Sequence, residues 1–124
     1  QLHDSGKMRL FEGSEEFRRD FIHVEDAVKI NLHFYQTKSS GIFNAGTGKS
    51  RSFTDIARAM RDIHGSGEIE DTPFPKDLRG KYQNFTEASL NNLRQARFSE
   101  DFMSLEEGIK KYYDQLSSSK GFYI

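Results

Sequence analysis

The most regular hydrophobic pattern in the chain lies in the stretch that follows Ser52. Apolar residues recur there every three or four positions, which predicts an amphipathic helix. Ser52 and Asp55 have the spacing of a capping box, and Gly65 provides the usual stop signal at the other end. The apolar positions of this helix are Phe53, Ile56, Ala57, Met60 and Ile63.

Three further stretches carry the same helical spacing. One begins at Val24 and has acidic residues in its first turn, where the helix dipole favours them. A shorter one is expected after Thr86 as its cap, and the last follows a second capping box formed by Ser104 and Glu107. The apolar positions are Val24, Ala27, Val28, Leu32 and Tyr35 in the first, Leu90 and Leu93 in the second, and Leu105, Ile109, Tyr112 and Leu116 in the third.

Short apolar runs between these helices predict strands. They are residues 8–11, 21–24, 42–43 and 68–71, and the last is followed at once by Pro73-Phe74-Pro75. Two prolines that close together cannot continue a central strand, so residues 68–71 are expected at an edge or in a loop. Helices separated by single strands indicate an α/β fold. The strands are too few and too short for an independent doubly wound sheet.

Composition excludes several classes of protein. The 124 residues include 18 Lys or Arg and 19 Asp or Glu, which gives a net charge of −1, whereas a nucleic-acid-binding domain usually has a basic excess. No apolar run approaches the roughly 20 residues that a membrane-spanning helix needs. The chain has no cysteine, so it contains no disulfide, no thiolate nucleophile and no cysteine-ligated metal.

The supply of apolar residues is low for an independent domain. Only 35% of the residues are hydrophobic, against roughly 45–50% apolar residues, glycine included, in average domains. With 11 Phe and 5 Tyr, the chain is nonetheless too aromatic to be disordered. Because the chain also begins at Gln1 rather than Met, we expect a fragment of a longer protein that shares its core with residues outside it.

Three motifs that could bind a ligand are incomplete. Residues 46–50, Gly-Thr-Gly-Lys-Ser, resemble the end of a phosphate-binding P-loop, but Phe43 stands where that loop needs its first glycine. No Gly-x-Gly-x-x-Gly occurs, so the dinucleotide-binding fingerprint is absent from this sequence. None of the four histidines has metal-ligand spacing. The sequence therefore indicates neither a cofactor-binding loop nor a metal site of its own.

Two basic segments are candidates for binding an anion. Arg18 and Arg19 follow a glycine-containing turn, and an arginine fork at such a junction can hold a diphosphate through paired hydrogen bonds. The same arginines could instead form surface ion pairs with neighbouring carboxylates. Residues 76–82, Lys-Asp-Leu-Arg-Gly-Lys-Tyr, form a basic loop whose aromatic end could stack on a base. A solvated loop would explain these residues as well.

Two longer motifs resemble a known family. Residues 19–26, Arg-Asp-Phe-Ile-His-Val-Glu-Asp, resemble the Arg-Asp-aromatic-aliphatic-His/Tyr-Val-x-Asp motif of the extended short-chain dehydrogenases/reductases. Residues 42–48, Ile-Phe-Asn-Ala-Gly-Thr-Gly, resemble the strand and turn that follow it in the same family. The resemblance implies an α/β fold, namely the carboxy-terminal, substrate-binding portion of such an enzyme with edge elements of a NAD(P)-binding Rossmann fold.

Further segments are similar to one family within this group, the ADP-L-glycero-D-manno-heptose 6-epimerases, which serve lipopolysaccharide core biosynthesis. The distinctive elements are Phe-Glu-Gly-Ser at residues 11–14 and Gly-x-Tyr-Gln at residues 80–83. The other matching segments are residues 73–75, 85–90 and 93–94. Together they extend the similarity over almost the whole chain.

The resemblance implies roles for individual residues. The positions that match contacts to the ADP-sugar substrate are Phe11, Glu12, Gly13, Ser14, Arg19 and Tyr82. In the family the first four form a substrate loop, the arginine holds the nucleotide part, and the tyrosine closes over the sugar. NADP takes hydride from C6 and returns it to the other face, inverting that centre. The resemblance also implies a cytoplasmic enzyme that is usually a homo-oligomer at full length.

The sequence departs from the family in lacking the catalytic Tyr-x-x-x-Lys. This pair and the glycine-rich cofactor loop are expected upstream of Gln1, so NADP would be bound mainly by the missing region. The chain alone is then expected to be inactive. Residues 1–50 are expected to form the edge of the Rossmann domain and the substrate loop, and residues 51–124 a small α/β lid.

Two other interpretations remain open at this point. The chain could be the corresponding part of another NAD(P)-dependent nucleotide-sugar epimerase or dehydratase, acting on a UDP- or GDP-hexose. It could also be a non-catalytic binding module complete in itself.

Overall fold

Helices and strands are interspersed along the chain in the computed structural model, which describes residues 2–118. The helices are α1 (Leu2–Ser5), α2 (Val24–Thr37), α3 (Phe53–His64), α4 (Asn91–Gln95) and α5 (Leu105–Ser118). The strands are β1 (Lys7–Phe11), β2 (Arg18–Arg19), β3 (Arg51–Ser52) and β4 (Glu68–Thr72), and a single 3₁₀ turn spans Lys76–Leu78. The predicted α/β class is therefore confirmed.

The strands form two pairs, each of which joins segments distant in the sequence. β1 runs parallel to β4, with Lys7 opposite Glu68. β2 runs antiparallel to β3, with Arg18 opposite Ser52, and Arg18 also forms a bridge with Phe85. Residues 18–19 thus lie between two neighbouring segments, so the backbone beneath the candidate arginines is held from both sides.

The predicted helix after Ser52 is confirmed as α3, together with its capping box. The Asp55 N–H donates to the Ser52 hydroxyl at 3.0 Å, and the Ser52 N–H donates to the Asp55 carboxylate at 3.0 Å. Gly65 ends the helix in the left-handed conformation, with φ of 83°, which glycine adopts at least cost. The last predicted helix is likewise confirmed as α5, where Ser104 and Glu107 exchange hydrogen bonds.

The prediction that Thr86 caps the third helix is wrong. That helix, α4, begins at Asn91 with Leu90 in the cap position and no side-chain cap. Thr86 lies in extended chain, and its N–H donates to the Arg18 carbonyl at 3.1 Å. A partner from a distant segment thus satisfies the Thr86 backbone, and no helix is needed there.

Two predicted strands are also wrong. Residues 21–24 lead into α2, and the imidazole Nδ1 of His23 accepts from the Glu25 N–H to cap that helix. Residues 42–43 have no strand pairing in the described chain, and Ile42 is 91% exposed. A strand forms only beside a partner, and the described residues supply none at that place. The predictions at residues 8–11 and 68–71 are confirmed as β1 and β4.

Two small clusters of buried apolar side chains hold the elements together. The first consists of Leu2, Met8 and Ala57, with Leu10, Met60 and Ile69 packed against it. The second consists of Ile30, Leu93 and Phe98, with Ile22, Phe34, Leu90 and Phe102 packed against it. Neither cluster is large, which agrees with the low hydrophobic content of the sequence.

One side of α2 carries apolar side chains that the described part of the chain leaves largely exposed. We call Val24, Val28, Leu32 and Tyr35 the bare face; they are 48–72% exposed. Ile30, on the other side of the helix, is buried. The helix thus has two apolar sides and uses one of them. Within residues 2–118, none of the helices combines the length and apolar content needed to cross a membrane.

Candidate functional site

Three of the predicted substrate contacts meet at one aromatic surface. Phe11 at the end of β1, Phe17, Phe74 and Tyr82 form what we call the aromatic cluster. Their ring centres lie 5.5 Å apart for Phe11 and Phe74, 5.2 Å for Phe17 and Phe74, 5.0 Å for Phe17 and Tyr82, and 5.6 Å for Phe74 and Tyr82. Arg19 lies beside this cluster, so the structure brings Phe11, Arg19 and Tyr82 together.

Arg19 is held with its guanidinium against the Tyr82 ring. The guanidinium carbon lies 5.3 Å from the ring centre, within the range of a cation–π contact. One Nη donates to the Arg18 carbonyl at 2.8 Å, and the other donates to the Gln83 carbonyl. These bonds orient the group and use only part of its donor set. The arrangement can therefore meet an anion without first ordering the side chain.

The two neighbouring arginines have different hydrogen-bond partners. Unlike Arg19, Arg18 donates to the Ser50 carbonyl, at 2.7 Å. Within residues 2–118, the hydrogen bonds found for Arg18 and Arg19 run to carbonyl and hydroxyl oxygens, not to carboxylates. Of the two, Arg19 is the arginine that faces the aromatic cluster.

The predicted substrate loop forms a tight turn after β1. The Ser14 N–H donates to the Phe11 carbonyl at 3.0 Å, and Gly13 takes φ of 81°, which favours glycine. Glu12 is exposed, whereas Ser14 is buried with its hydroxyl 2.8 Å from that of Thr54 on α3. In this chain Ser14 therefore ties the turn to α3, and Phe11 is the member that reaches the cluster.

Tyr82 closes the basic loop predicted at residues 76–82. The 3₁₀ turn Lys76–Leu78 begins the loop, and the Tyr82 N–H donates back to the Leu78 carbonyl at 3.1 Å. Sequence reasoning missed Phe17 and Phe74 as members of the cluster. The signal that could have found Phe74 is its position between two prolines, which fix the backbone on either side of an aromatic ring.

Sequence reasoning also missed Asp20, the most heavily bonded acid near the site. Its carboxylate accepts from the Thr47 N–H at 2.7 Å, the Thr47 hydroxyl at 2.5 Å, the Gly48 N–H at 2.8 Å and the Ala88 N–H at 3.0 Å. Burial raises the pKa of the carboxyl, but these hydrogen bonds outweigh it and hold the pKa below its ordinary value. Asp20 is therefore ionised at neutral pH.

The same contacts explain why residues 46–50 are not a phosphate cradle. In a phosphate-binding loop, successive backbone N–H groups point at the ligand. Here the N–H groups of Thr47 and Gly48 donate to Asp20, and that of Ser50 donates to Glu87 at 2.9 Å. The donors are thus already used by the protein. Among residues 2–118, no group of three or more His, Asp or Glu side chains could hold a metal ion.

A groove of about 780 Å³ lies elsewhere. It runs between the turn at residues 47–49, residues 88–91 and residues 101–105, and none of Phe11, Arg19 and Tyr82 lines it. Two of its cations are already engaged: Arg51 with Asp55 and Glu106, and Arg94 with backbone carbonyls. We therefore place the candidate site at the aromatic cluster, where the oriented cation and the rings converge.

Comparison with known proteins finds clear relatives in sequence. An ADP-L-glycero-D-manno-heptose-6-epimerase from Brachyspira hyodysenteriae is 46% identical over an alignment of 125 positions, which covers 100% of this chain and 39% of that protein. The chain thus spans about two fifths of the length of the curated relative it matches. No protein-family model matches the sequence.

Solved structures show the same fold at lower identity. An ADP-L-glycero-D-manno-heptose-6-epimerase from Helicobacter pylori superimposes with a TM-score of 0.81 at 23% identity, covering 94% of this chain and 35% of that one. A dTDP-glucose 4,6-dehydratase from Bacillus anthracis in complex with NAD gives 0.77 at 14% identity, covering 94% and 36%. The chain therefore has the fold of roughly a third of each enzyme.

Proposed function

Since this chain is homologous along its whole length to part of an ADP-L-glycero-D-manno-heptose-6-epimerase and matches part of the extended short-chain dehydrogenase/reductase fold, we propose that it is the carboxy-terminal part of such an epimerase. In the complete enzyme, its task is to bind the ADP-sugar. The reaction served is the interconversion of ADP-D-glycero-D-manno-heptose and ADP-L-glycero-D-manno-heptose in the cytoplasm, for the lipopolysaccharide core.

The observation that carries the proposal is the pairing of Arg19 with Tyr82. A nucleotide diphosphate needs a cation of fixed direction for its phosphates, and planar surfaces for its base and sugar. The Arg19 guanidinium is fixed by two carbonyls and lies against the Tyr82 ring. The aromatic cluster provides further ring surface beside it. Glu12 and Gly13, at the turn that Phe11 begins, complete the proposed contacts.

The described residues do not fit a dinucleotide cofactor. In the glycine-containing turn at residues 46–48, the N–H groups of Thr47 and Gly48 donate to Asp20 and are not available to a cofactor phosphate. The sequence has no Gly-x-Gly-x-x-Gly and no Tyr-x-x-x-Lys. NADP, which supplies reversible hydride transfer, therefore belongs in this proposal to the part of the enzyme outside this chain. This chain's residues bind and orient the sugar nucleotide.

The exposed apolar side chains of the bare face support the proposal that this chain is part of a larger enzyme. Exposed apolar patches on a folded protein mark contacts with other protein, and Ile42 is exposed as well. In the proposal, both pack on the Rossmann sheet of the upstream part. Residues 1–50 then complete the edge of that domain and residues 51–124 form most of the lid. The complete enzyme would be a homo-oligomer.

Another nucleotide-sugar enzyme of the same fold is the second candidate, because the dTDP-glucose 4,6-dehydratase superimposes almost as well as the epimerase. Titrating ADP, UDP, GDP and dTDP into the chain separates the two. The epimerase proposal expects ADP to bind most tightly, whereas a preference for another nucleotide would favour the alternative.

A chimera tests the activity itself. This chain would replace the homologous segment of the Brachyspira epimerase, and turnover of the ADP-heptose would be measured. We expect activity in the chimera and a loss of at least about tenfold in kcat/KM on Arg19→Ala, the cost of one charged hydrogen bond. Arg58→Ala, on an exposed position of α3, is the matched control. A folded but inactive chimera, or equal effects of the two substitutions, would contradict the proposal.

A further inference from the structure

We propose that Asp20 is a positioning residue that sets Arg19 against Tyr82 by joining three segments of the chain through one carboxylate, namely its own residues 18–20, the turn at residues 46–48 and residues 84–88. This inference rests on the proposed function, because it explains how the ADP-binding side chains are held in place. It assigns a role to a residue whose carboxylate makes no contact with the aromatic cluster itself.

A ladder of hydrogen bonds joins β2 to residues 84–88. The Arg18 N–H donates to the Asn84 carbonyl at 2.8 Å, and the Thr86 N–H donates to the Arg18 carbonyl at 3.1 Å. The next rung uses the Asp20 side chain in place of a backbone carbonyl, because its carboxylate accepts from the Ala88 N–H at 3.0 Å. Bonds at every second residue thus fix the register of the segment that begins at Tyr82.

The Asp20 carboxylate also binds the turn at residues 46–48. One oxygen of Asp20 accepts from the N–H and the hydroxyl of Thr47, and the other oxygen accepts from Gly48 and Ala88. A Cβ at Gly46 would lie 2.6 Å from the Asp20 carboxylate and 2.6 Å from the Ala88 side chain. The turn is therefore packed against the acid as tightly as a glycine allows.

Only a carboxylate can accept all of these hydrogen bonds. Each of its oxygens accepts from a backbone N–H. An asparagine would direct its NH₂ group either at the Thr47 N–H or at the N–H groups of Gly48 and Ala88, and leave those donors unsatisfied. Asp20→Asn therefore loosens the turn in either orientation of the amide, and residues 84–88 as well in the second, while the residue keeps its shape.

The test uses the full 124-residue chain and compares Asp20→Asn with Asp26→Asn. Asp26 is the matched control, since it is a fully buried acid whose hydrogen bonds run to Lys29 and to the Met103 N–H at 2.8 Å, away from residues 82–88. Two readouts are measured: the NMR resonances of the Arg19 Nε–H and the Tyr82 ring, and the affinity for ADP.

We expect Asp20→Asn to shift the Arg19 and Tyr82 resonances and to weaken ADP binding about tenfold, equivalent to about 1.4 kcal/mol. Asp26→Asn should leave both readouts as in the wild-type chain, although it destabilises the fold. A purely structural role for Asp20 would predict that the two variants behave alike. Unchanged Arg19 and Tyr82 resonances in folded Asp20→Asn, or the same shifts in Asp26→Asn, would overturn the positioning role.

If Asp20→Asn does not fold, Thr47→Val is the second variant, because it leaves the carboxylate in place and removes the hydroxyl that donates to Asp20 at 2.5 Å and accepts from the Lys49 N–H at 3.2 Å. A smaller shift of the same two resonances supports the proposal, and none overturns it. ADP binding by the wild-type chain distinguishes a failure of the proposed function from a failure of the positioning role. If it fails to bind ADP while the Asp20 variants move Arg19 and Tyr82 as expected, the proposed function is wrong and the positioning role stands.

Discussion

The guanidinium carbon of Arg19 lies 5.3 Å from the centre of the Tyr82 ring, although 62 residues of chain separate the two side chains. β2 carries the first, and a loop that β2 itself holds in register carries the second. In the proposed function, this cation and this ring form the surface that binds an anionic, planar ligand.

Removing the Tyr82 ring should weaken ADP binding. Tyr82→Ala loses the surface that Arg19 covers and two ring contacts of the cluster, so we expect the Kd to rise roughly fivefold, or about 1 kcal/mol. Tyr82→Phe keeps the ring and should bind nearly as the wild type does. Calorimetric titration of the chain with ADP measures both. Tyr35→Ala is the control, because Lys38 covers that ring in the same manner away from the site, and an equal loss there would refute the role of Tyr82.

Removing the α3 cap should destabilise the fold. Ser52→Ala eliminates the oxygen that accepts from the Asp55 N–H at 3.0 Å, at a cost of about 1 kcal/mol in the free energy of unfolding. Ser52→Asp can still accept this bond and should recover most of the loss. Urea unfolding followed by circular dichroism gives the comparison. Ser66→Ala, an exposed serine just beyond the helix, should change nothing, and a similar loss there would show that capping is not the cause.

Acid should unfold the chain through its hydrogen-bonded carboxylates. Burial raises the pKa of Asp26, but the bonds from Lys29 and the Met103 N–H outweigh it and hold the pKa below its ordinary 3.8; Asp20 behaves similarly. A lowered folded-state pKa contributes stability above the ordinary value, and this stability is lost as pH falls toward the folded pKa. The free energy of unfolding should therefore be level at neutral pH and fall below about pH 4.

The control for acid unfolding is Asp26→Asn. It removes one of the titrating groups, so its free energy of unfolding should fall less steeply with acid than that of the wild type. Parallel acid slopes for the two proteins would mean that Asp26 does not contribute to the pH dependence.

Placing a charge on the bare face should reduce the self-association of the isolated chain. Leu32 is 51% exposed on that face, so Leu32→Glu should keep the fold while reducing self-association and the binding of a hydrophobic dye. In the chimeric enzyme, the same substitution should impair assembly, because a charge would then face an apolar domain. Sedimentation velocity and dye fluorescence measure the first effect. Gln36→Glu adds the same charge to an exposed polar position of α2 and should have neither effect.

The local signals in the sequence predicted α3 and α5 correctly. In both helices a capping box and an apolar stripe lie within the same few turns, so the information that specifies the helix is contained in the helix. The predictions failed where the deciding partner was remote. Thr86 looks like a cap, yet its backbone pairs with Arg18, and residues 42–43 look like a strand, yet no described segment pairs with them.

By itself the sequence determined the helix boundaries set by caps, the α/β class, and the arginine-and-tyrosine pair as candidates for binding. These follow from residue type and spacing over a few positions, or from motifs that resemble those of a family. Only the tertiary structure decided that Arg19 rather than Arg18 faces the rings, that Ser14 is buried against Thr54, and that Asp20 fastens three segments. The reason is physical: a hydrogen bond between distant residues depends on which segments pack together, and no local pattern records that choice.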